Sequence, residues 1–312
     1  MTGLRQAAAD YLALRRALGY KLRDYPWLLS GLVSYLEDAG AATVTAELAL
    51  AWALAPSSGG SRPGYLSKRL SVARGFARHL QAFDPAAEVP PAGLAGPGLR
   101  RPAPYLYSGE DIAALMTAAA QLKPALRAAT YQTLVGLLVV TGMRVGEAIS
   151  LDRGDIDFED GVLTVWYSKF GKSRELPLHP TTVDALRKYA AVRDKLCPKP
   201  EAASFLLSAA GTRLVYVTVQ QVFAGLLRTA GVTGPAGSQC PRLHSTRHTF
   251  ACLTLLGWYR AGEDVQARMP LLSTYLGHSN PANTYWYLSA VPELLSLAAR
   301  RREQAQPARS QA

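Results

Sequence analysis

The chain has 312 residues, of which 49% are hydrophobic and 18% charged, and 34 Lys and Arg against 23 Asp and Glu give a formal net charge of +11. The apolar content excludes a mainly disordered chain, and the length fits two domains better than one. The excess of positive charge predicts an acidic partner, for which nucleic acid is the strongest candidate.

The first predicted domain, residues 1–84, is helical throughout. Its apolar residues recur at intervals of three and four, which is the pattern of amphipathic helices. The four predicted helices are Leu4–Leu18, Trp27–Leu36, Ala46–Leu54 and Tyr65–Phe83. The last helix carries four basic residues that are candidates for binding DNA, namely Lys68, Arg69, Arg74 and Arg78. Basic helix faces are usually solvated surface, so this pattern alone favours that interpretation.

A stretch rich in proline and glycine, residues 85–104, follows this domain. It holds six of the 20 prolines, together with Gly93, Gly96 and Gly98. Proline removes a backbone donor and restricts the residue before it, so the stretch is predicted to be an extended linker. Arg100 and Arg101 near its end are further candidates for contacts with DNA.

The second predicted domain, residues 105–290, begins with a helix-start signal. Ser108 can cap the helix, and Asp111 three residues later can complete the cap. The apolar period continues through residues 126–140 and stops at Gly142, because glycine readily adopts the backbone conformation that ends a helix.

The middle of this domain predicts a small antiparallel sheet inside a mainly α fold. Residues 162–168 and 174–178 have the composition of two strands, and the turn residue Gly171 lies between them. Beyond the hairpin the pattern becomes helical again, with helices predicted at residues 181–196, 219–230, 244–258 and 294–302.

Two histidines, His244 and His248, have the four-residue spacing of a zinc-binding helix. Ser245 stands where such a motif carries a glutamate, and no third ligand is evident in the sequence. No metal site and no cofactor are therefore predicted.

Several separated segments instead carry residues suited to a reaction at a phosphodiester. They are Arg144 in Thr-Gly-Met-Arg-Val-Gly-Glu (141–147), Lys169 in the predicted hairpin, His244 and Arg247 in His-Ser-Thr-Arg (244–247), His278 in Leu-Gly-His (276–278), and Tyr287 in Thr-Tyr-Trp-Tyr (284–287). Arginine forks bind non-bridging phosphate oxygens and can stabilise a pentacovalent transition state where other enzymes place metal ions. A tyrosine hydroxyl can attack phosphorus and conserve the bond energy in a covalent link.

The order and spacing of these segments resemble the tyrosine recombinase (phage integrase) family, and the resemblance covers most of the chain. The first domain is similar to the family's helical core-binding domain, which is SAM-like, and the second to its mainly helical catalytic domain. Each segment alone is a weak signal, whereas the whole series in this order is highly specific.

The resemblance implies roles for the cationic residues. Arg144 and Arg247 would clamp the scissile phosphate, and Lys169 would protonate the departing 5′-oxygen. Glu147 resembles the acidic partner that orients the site without reacting. Lys172 competes with Lys169 for the acid role, but Lys169 aligns with the family lysine, which leaves Lys172 and Arg174 as candidates for backbone phosphates.

The resemblance also implies the remaining catalytic residues. His244 and His278 would hydrogen-bond the phosphate and assist proton transfer, and Tyr287 would be the nucleophile. Tyr285 competes with Tyr287, but the spacing from His278 favours Tyr287. His248 is predicted to be a structural helix residue.

Two segments remain open at this stage. Residues 258–273 form a longer connection than the family pattern leads us to expect, and either a surface loop or a contact with DNA or a neighbouring subunit would explain it. The C-terminal helix and tail, residues 291–312, are compatible with packing on their own domain or on a neighbouring protomer.

The function that the resemblance implies is site-specific recombination, in which DNA is cut and rejoined through a 3′-phosphotyrosyl intermediate without metal or ATP. Integration, excision or transposition of a mobile element are its forms. The implied partners are double-stranded DNA and three further copies in a homotetramer on two sites, with or without related recombinases. A type IB topoisomerase and a DNA-binding relative without activity are the alternatives.

The predicted location is the bacterial cytoplasm, at the nucleoid. Met1–Gln6 lacks the apolar core of a signal peptide, and the most apolar segments, near residues 134–140 and 253–258, are too short to cross a membrane. Three cysteines without a CxxC pair favour a reducing compartment.

Overall fold

The structure is a computed structural model that describes residues 3–20, 22, 24–56, 63–94, 103–166, 173–234, 240–278, 280–290 and 292–305. It divides the chain into two compact units, Met1–Arg101 and Pro102–Ala312. Each unit has a hydrophobic core of its own. No helix in these described ranges is both long enough and apolar enough to cross a membrane.

The first unit is a bundle of helices around one core. Its elements are α1 (Leu4–Ala17), α2 (Tyr25–Asp38), α3 (Ala46–Leu54) and α4 (Pro63–Leu80). Thr45 caps α3 by accepting a hydrogen bond from the Leu48 amide at 3.2 Å. Leu29, Leu36 and Phe76 are completely buried where α2 packs against α4, as the three- and four-residue spacing of apolar side chains predicts.

Two tyrosines join three of these helices. The hydroxyls of Tyr11 and Tyr25 lie 3.1 Å apart, and Tyr25 also donates to the Val72 carbonyl at 3.1 Å. A Cβ atom at Gly75 would lie 2.5 Å from the Tyr25 oxygen and 2.7 Å from the Tyr11 oxygen. The absence of a side chain at Gly75 is therefore what lets this polar pair reach α4.

Residues 87–91 of the proline-rich stretch pack against the first unit. Ala87 is buried in its core, and the Glu88 amide donates to the Val44 carbonyl at 2.7 Å. Arg74 donates to the carbonyls of Pro90 and Pro91 at 2.9 and 3.3 Å. Residues up to Pro91 are thus held against this unit, because Arg74 of α4 donates to their carbonyls.

The second unit is mainly helical with one small sheet, which confirms the predicted fold class. Its elements are α5 (Gly109–Ala120), α6 (Ala125–Thr141), α7 (Val145–Ser150), β1 (Ile156–Asp157), β2 (Val162–Val165), β3 (Arg174–Pro177), α8 (Pro180–Leu196), α9 (Tyr216–Thr229), α10 (Leu243–Arg260), α11 (Val265–Leu276), α12 (Ala282–Ala290) and α13 (Pro292–Ala305). Ser108 and Asp111 form the predicted capping box of α5.

The sheet has the order β1-β2-β3, and all its pairs are antiparallel. Leu163 lies opposite Ile156 on one side and Leu176 on the other, and all three side chains are buried. Alternation along β2 therefore directs one face of the sheet into the core. The predicted tip of the hairpin, residues 167–172, lies outside the described residues.

The helix α6 ends where the sequence predicts, at Gly142. This glycine has a φ of +59°, and a Cβ atom there would lie 2.5 Å from the Phe250 ring. Gly142 thus permits both the left-handed turn and the close approach of α10. As a result, the segment that carries Arg144 begins directly beside α10.

The segment 258–273 is largely helical and not a surface loop. It comprises the end of α10, a short turn, and most of α11, whose side chains Val265, Met269 and Leu272 are buried against α10 and α12. Asp264 caps α11 by accepting from the amides of Gln266 and Ala267.

The last helix, α13, packs on α10 of the same chain. Leu294 is completely buried in the cluster that also holds Leu255 and Tyr287, and Arg260 forms an ion pair with Glu293 at 2.6 Å. In this single chain the C-terminal helix therefore covers the element that carries Tyr287.

Candidate active site

The turn that ends α11 is the centre of the site. Three consecutive backbone carbonyls there each accept a hydrogen bond from a different arginine. The pairs are Tyr275 with Arg174 (2.8 Å), Leu276 with Arg247 (2.5 Å) and Gly277 with Arg144 (2.9 Å). Since the last carbonyls of a helix lack partners within it and carry its partial negative charge, they are suited to hold cations.

Gly277 gives this turn its shape. Its φ of +66° lies in the left-handed region, and its amide bonds back to the Thr274 carbonyl at 2.9 Å. A Cβ atom at this position would lie 2.8 Å from a terminal nitrogen of Arg174. Glycine is therefore required both by the backbone conformation and by the approach of Arg174.

Arg144 is positioned by the start of α7. It is the N-cap residue, and its amide donates to the Glu147 carboxylate at 2.9 Å. Its guanidinium forms an ion pair with the same carboxylate at 2.7 Å and remains 28% exposed. One face of Arg144 thus stays accessible to an anion while the other is held.

Glu147 is almost completely buried between two arginines. Besides Arg144, it pairs with Arg174 at 2.8 Å. Burial alone would raise the pKa of Glu147, but the hydrogen bond and charge of Arg174, together with Arg144, outweigh burial and hold that pKa below its ordinary value. The carboxylate is therefore ionised at neutral pH and orients both guanidinium groups.

Arg174 has a different place from the one that its sequence predicts. We expected it to meet a backbone phosphate, but its side chain is only 9% exposed and is bonded to Glu147 and the Tyr275 carbonyl. Arg174, the first residue of β3, thus joins Glu147 to the end of α11.

Arg247 is the most deeply buried of these cations, at 1% exposure. It donates to the Gly142 carbonyl at 2.9 Å and to the Leu276 carbonyl, so it joins the end of α6 to the end of α11. Burial first, and then the charge of Arg144, lower the pKa of Arg247 to about 10. It remains charged at neutral pH in a poorly solvated environment, where its field is strong.

Three histidines lie around the same turn. His244 is exposed on α10, with its ring 4.7 Å from that of His248 one helical turn later. His278 follows Gly277, and its Nδ1 atom is 2.7 Å from the hydroxyl of the buried Thr284. This contact fixes the orientation of the His278 ring.

The two competing tyrosines differ sharply in environment. Tyr285 is 47% exposed, whereas Tyr287 is 2% exposed. The Tyr287 hydroxyl lies 3.1 Å from Nδ1 of His248, and its ring stacks on His278 with centroids 6.4 Å apart. Tyr287 also interacts electrostatically with Arg247. The structure therefore places Tyr287, and not Tyr285, beside His248, His278 and the charge of Arg247.

The remaining predicted site residues lie either outside the described residues or on α4 of the first unit. Lys169, Lys172, Arg100 and Arg101 lie outside the described residues. Arg78 is exposed on α4, and Lys68 pairs with Asp24 at the surface.

Arg69 and Arg74 differ from the prediction that they contact DNA. Arg69 is 5% exposed, lies over the Trp52 ring at 4.3 Å and donates to the Ala55 carbonyl. Arg74 holds the Pro90 and Pro91 carbonyls. Both guanidinium groups serve the fold of the first unit, because their apolar stems let them pack inside it.

Sequence reasoning missed the contacts of His248 and Thr284. Their partners are respectively 39 and 6 residues away in the chain. The only available signal was that His248 follows directly after Arg247. Within the described ranges, no group of three or more His, Cys, Asp or Glu side chains is arranged to hold a metal ion.

Comparisons with known sequences agree with this geometry. Residues 107–293 match the model of the phage integrase family. The protein y4rB of Sinorhizobium fredii, named as an integrase/recombinase, is 43% identical over 309 residues, which cover 97% of this chain and 98% of that protein. The tyrosine recombinase XerC of Mycobacterium tuberculosis is 31% identical over 290 residues, covering 89% of this chain and 91% of XerC.

Solved structures show the same fold. The site-specific recombinase XerH, in a post-cleavage complex with its difH substrate, superposes with a TM-score of 0.66 at 18% identity, over 97% of this chain and 86% of XerH. Residues 82–397 of the Tn1549 transposon integrase, in complex with transposon right end DNA, give a TM-score of 0.65 at 18% identity, over 95% of this chain and 99% of that solved chain. Given the family match over more than half of the chain and a relative at 43% identity, this protein belongs to the phage integrase family of tyrosine recombinases.

Proposed function

We propose that the protein is a site-specific recombinase that cuts and rejoins double-stranded DNA through a 3′-phosphotyrosyl intermediate. The observation that carries the proposal is the position of Tyr287, bonded to His248, stacked on His278 and coupled to the charge of Arg247. A buried phenol beside cations is what a covalent nucleophile for phosphorus requires.

In the proposed cleavage step, the Tyr287 oxygen forms a bond to phosphorus and the bond from phosphorus to the 5′-oxygen breaks. Arg144 and Arg247 neutralise the non-bridging oxygens, with His244 and His278 as further donors. Lys169 gives the departing 5′-oxygen its proton. The reverse step, with a 5′-hydroxyl from another strand, reseals the DNA.

Neither a metal ion nor ATP takes part in this proposal. The phosphotyrosyl bond retains the free energy of the broken phosphodiester, and arginine supplies the positive charge that a metal would otherwise bring. Residues 1–84 would act as the core-binding clamp on the duplex and residues 105–290 as the catalytic domain.

The proposed partners follow from the relatives. XerH and the Tn1549 integrase were both solved on DNA, and the net charge of +11 suits a polyanion. Because recombination exchanges strands between two duplexes, we propose a homotetramer on two sites, acting in the bacterial cytoplasm. The likeness to a transposon integrase and to y4rB favours integration, excision or transposition of a mobile element.

The test is the covalent adduct on a nicked suicide substrate made from DNA that flanks the gene. Wild type and Tyr285→Phe should form the adduct, with and without EDTA and without ATP, whereas Tyr287→Phe should form none. The matched substitution at the exposed neighbour controls for damage to α12.

An adduct that persists in Tyr287→Phe would contradict the assignment of the nucleophile. Wild type that binds its DNA and forms no adduct would contradict the proposed reaction. Relaxation of plasmids without any specific site would favour the topoisomerase alternative.

A further inference from the structure

The Tyr287 hydroxyl makes a buried contact with a histidine of α10. Nδ1 of His248 lies 3.1 Å from the Tyr287 hydroxyl, within hydrogen-bonding distance, and both side chains are buried at 5% and 2% exposure. A buried polar pair of this kind is retained only where its hydrogen bond is satisfied. The contact therefore fixes the position of the Tyr287 oxygen, and Nδ1 accepts the hydroxyl proton when the neutral ring carries its hydrogen on Nε2.

The His248 ring is held on several sides. It lies on α10 between His244 and Cys252, with the His244 ring 4.7 Å away, and the Trp286 ring meets it edge to face at 5.6 Å. Trp286 and Tyr287 are neighbours on α12, so one helix both positions the nucleophile and packs against its histidine. Small movements of the ring are thereby restricted.

The other histidines are less suited to accept the Tyr287 proton. His278 stacks face to face on the Tyr287 ring, and its Nδ1 atom meets Thr284. His244 is exposed one turn of α10 earlier. The nitrogen of His248 is directed at the Tyr287 oxygen itself.

We infer that His248 is a catalytic residue that orients the Tyr287 hydroxyl and accepts its proton as the oxygen attacks phosphorus. This inference rests on the proposed function. For the step to occur, Nδ1 must carry no proton, and the neutral ring then carries its hydrogen on Nε2. The proton passes to Nδ1, the bond from oxygen to phosphorus forms, and the 5′-oxygen leaves with a proton from Lys169. Resealing returns the proton from His248 to Tyr287.

The surroundings favour this transfer. Arg247 next to His248 stabilises negative charge as it develops on the Tyr287 oxygen, because the two groups interact electrostatically. Around the pair lie the His244 ring, 4.7 Å from that of His248, the His278 ring, 6.4 Å from that of Tyr287, and Arg247, on which Arg144, Glu147 and Arg174 also act. Histidine is the side chain that most often acts as a general base in enzymes, so a residue of this type suits the step.

The experiment measures the single-turnover rate of adduct formation between about pH 5.5 and pH 8.5. His248→Asn is the central variant, since its amide can still hydrogen-bond Tyr287 but cannot accept a proton. We expect its rate at neutral pH to fall at least about a hundredfold, the usual contribution of a general base, and the decline of the rate on acidification to become shallower. His179→Asn, at the exposed cap of α8, is the matched control and should behave as wild type.

His248→Leu, which removes the hydrogen bond as well, should be slower still. DNA affinity and thermal unfolding of His248→Asn should stay close to wild type, which separates a chemical defect from a folding defect. A wild-type rate and pH profile in His248→Asn would overturn the inference. A faster reaction in His248→Leu would also overturn the inference, because it would show that His248 slows the attack of Tyr287 on phosphorus.

The two proposals fail in different ways. If wild type forms no adduct on DNA that it binds, the proposed function fails and the role of His248 fails with it. If wild type forms the adduct, Tyr287→Phe does not, and His248→Asn matches wild type, the proposed function stands and only the inference is wrong.

Discussion

Both units bury arginine side chains, and the comparison shows two uses of one residue type. In the first unit, Arg69 lies over the rings of Trp52 and Tyr65 and binds the Ala55 carbonyl, so its charge faces two rings and one backbone group. In the second unit, three guanidinium groups from α7, β3 and α10 meet at the end of α11.

This difference separates a structural role from a functional one. A single buried guanidinium can be accommodated by stacking and one hydrogen bond. Three like charges around one turn repel each other, as the effect of Arg144 on the pKa of Arg247 shows, and one carboxylate, Glu147, balances them only in part. A cluster that tolerates this repulsion is suited to bind a further anion, which a phosphate would provide.

The largest expected effect is that of Arg247→Lys. The ammonium group keeps the charge but cannot reach both the Gly142 and the Leu276 carbonyl while also facing a phosphate as a fork. We expect the single-turnover cleavage rate to fall by about 10²–10³, as when one transition-state donor is removed, with DNA affinity changed much less.

The matched control is the same exchange in the first unit. Arg69→Lys should weaken the contact with Trp52 and lower the free energy of unfolding by about 1 kcal/mol. Once it is bound to DNA, this variant should cleave at the wild-type rate. Equal loss of cleavage in the two variants would remove the distinction between the units.

The second effect concerns the carboxylate that balances the cluster. Glu147→Gln leaves the largely buried Arg174 without its counter-charge, so we expect the free energy of unfolding at pH 7 to fall by about 3 kcal/mol. Urea titrations at several pH values measure this change.

The pH dependence of that loss has a fixed sign. The pKa of Glu147 is lower in the folded protein than its ordinary value near 4.5, so its stabilising contribution is complete above that pH and is lost as the pH falls through the folded pKa. The difference between wild type and Glu147→Gln should therefore shrink on acidification below about pH 4.5. If the difference in free energy of unfolding between wild type and Glu147→Gln stays constant down to about pH 3, it does not arise from the ion pairs of Glu147.

Local patterns were enough to predict most of the fold. The helix Ala46–Leu54 has the predicted bounds, and α6 ends at Gly142 as its turn chemistry requires. The helix α11 was missed, although Asp264 before it and Gly277 after it are ordinary start and stop signals. Pro270 within it is a local signal against a helix.

The site was predictable in its residue types but not in its contacts. The order of the segments predicted Arg144, Arg247, His278 and Tyr287 as site residues, and the structure brings these side chains together at and beside the end of α11. Arg174 resembles any surface arginine in sequence, because its partner Glu147 is 27 residues away. Contacts of this kind depend on how helices pack, which no local period specifies.

The smallest expected effect is that of Gly277→Ala, which tests whether the turn after α11 needs a glycine so that Arg174 can approach. Gly277→Ala and Gly262→Ala both place a side chain on a left-handed backbone, at φ of +66° and +74°, so they share a conformational cost of about 1–2 kcal/mol. A Cβ atom at Gly262 meets nothing within 4 Å, whereas at Gly277 it lies 2.8 Å from Arg174.

We therefore expect Gly277→Ala to be less stable than Gly262→Ala by about 1–2 kcal/mol, the usual cost of overpacking. It should also slow cleavage, because displacing Arg174 disturbs Glu147 and, through it, Arg144. Equal stability and equal cleavage in the two variants would mean that Arg174 can move aside without consequence. In that case the three arginines would be independent neighbours, and the contrast with the single buried arginine of the first unit would have no functional meaning.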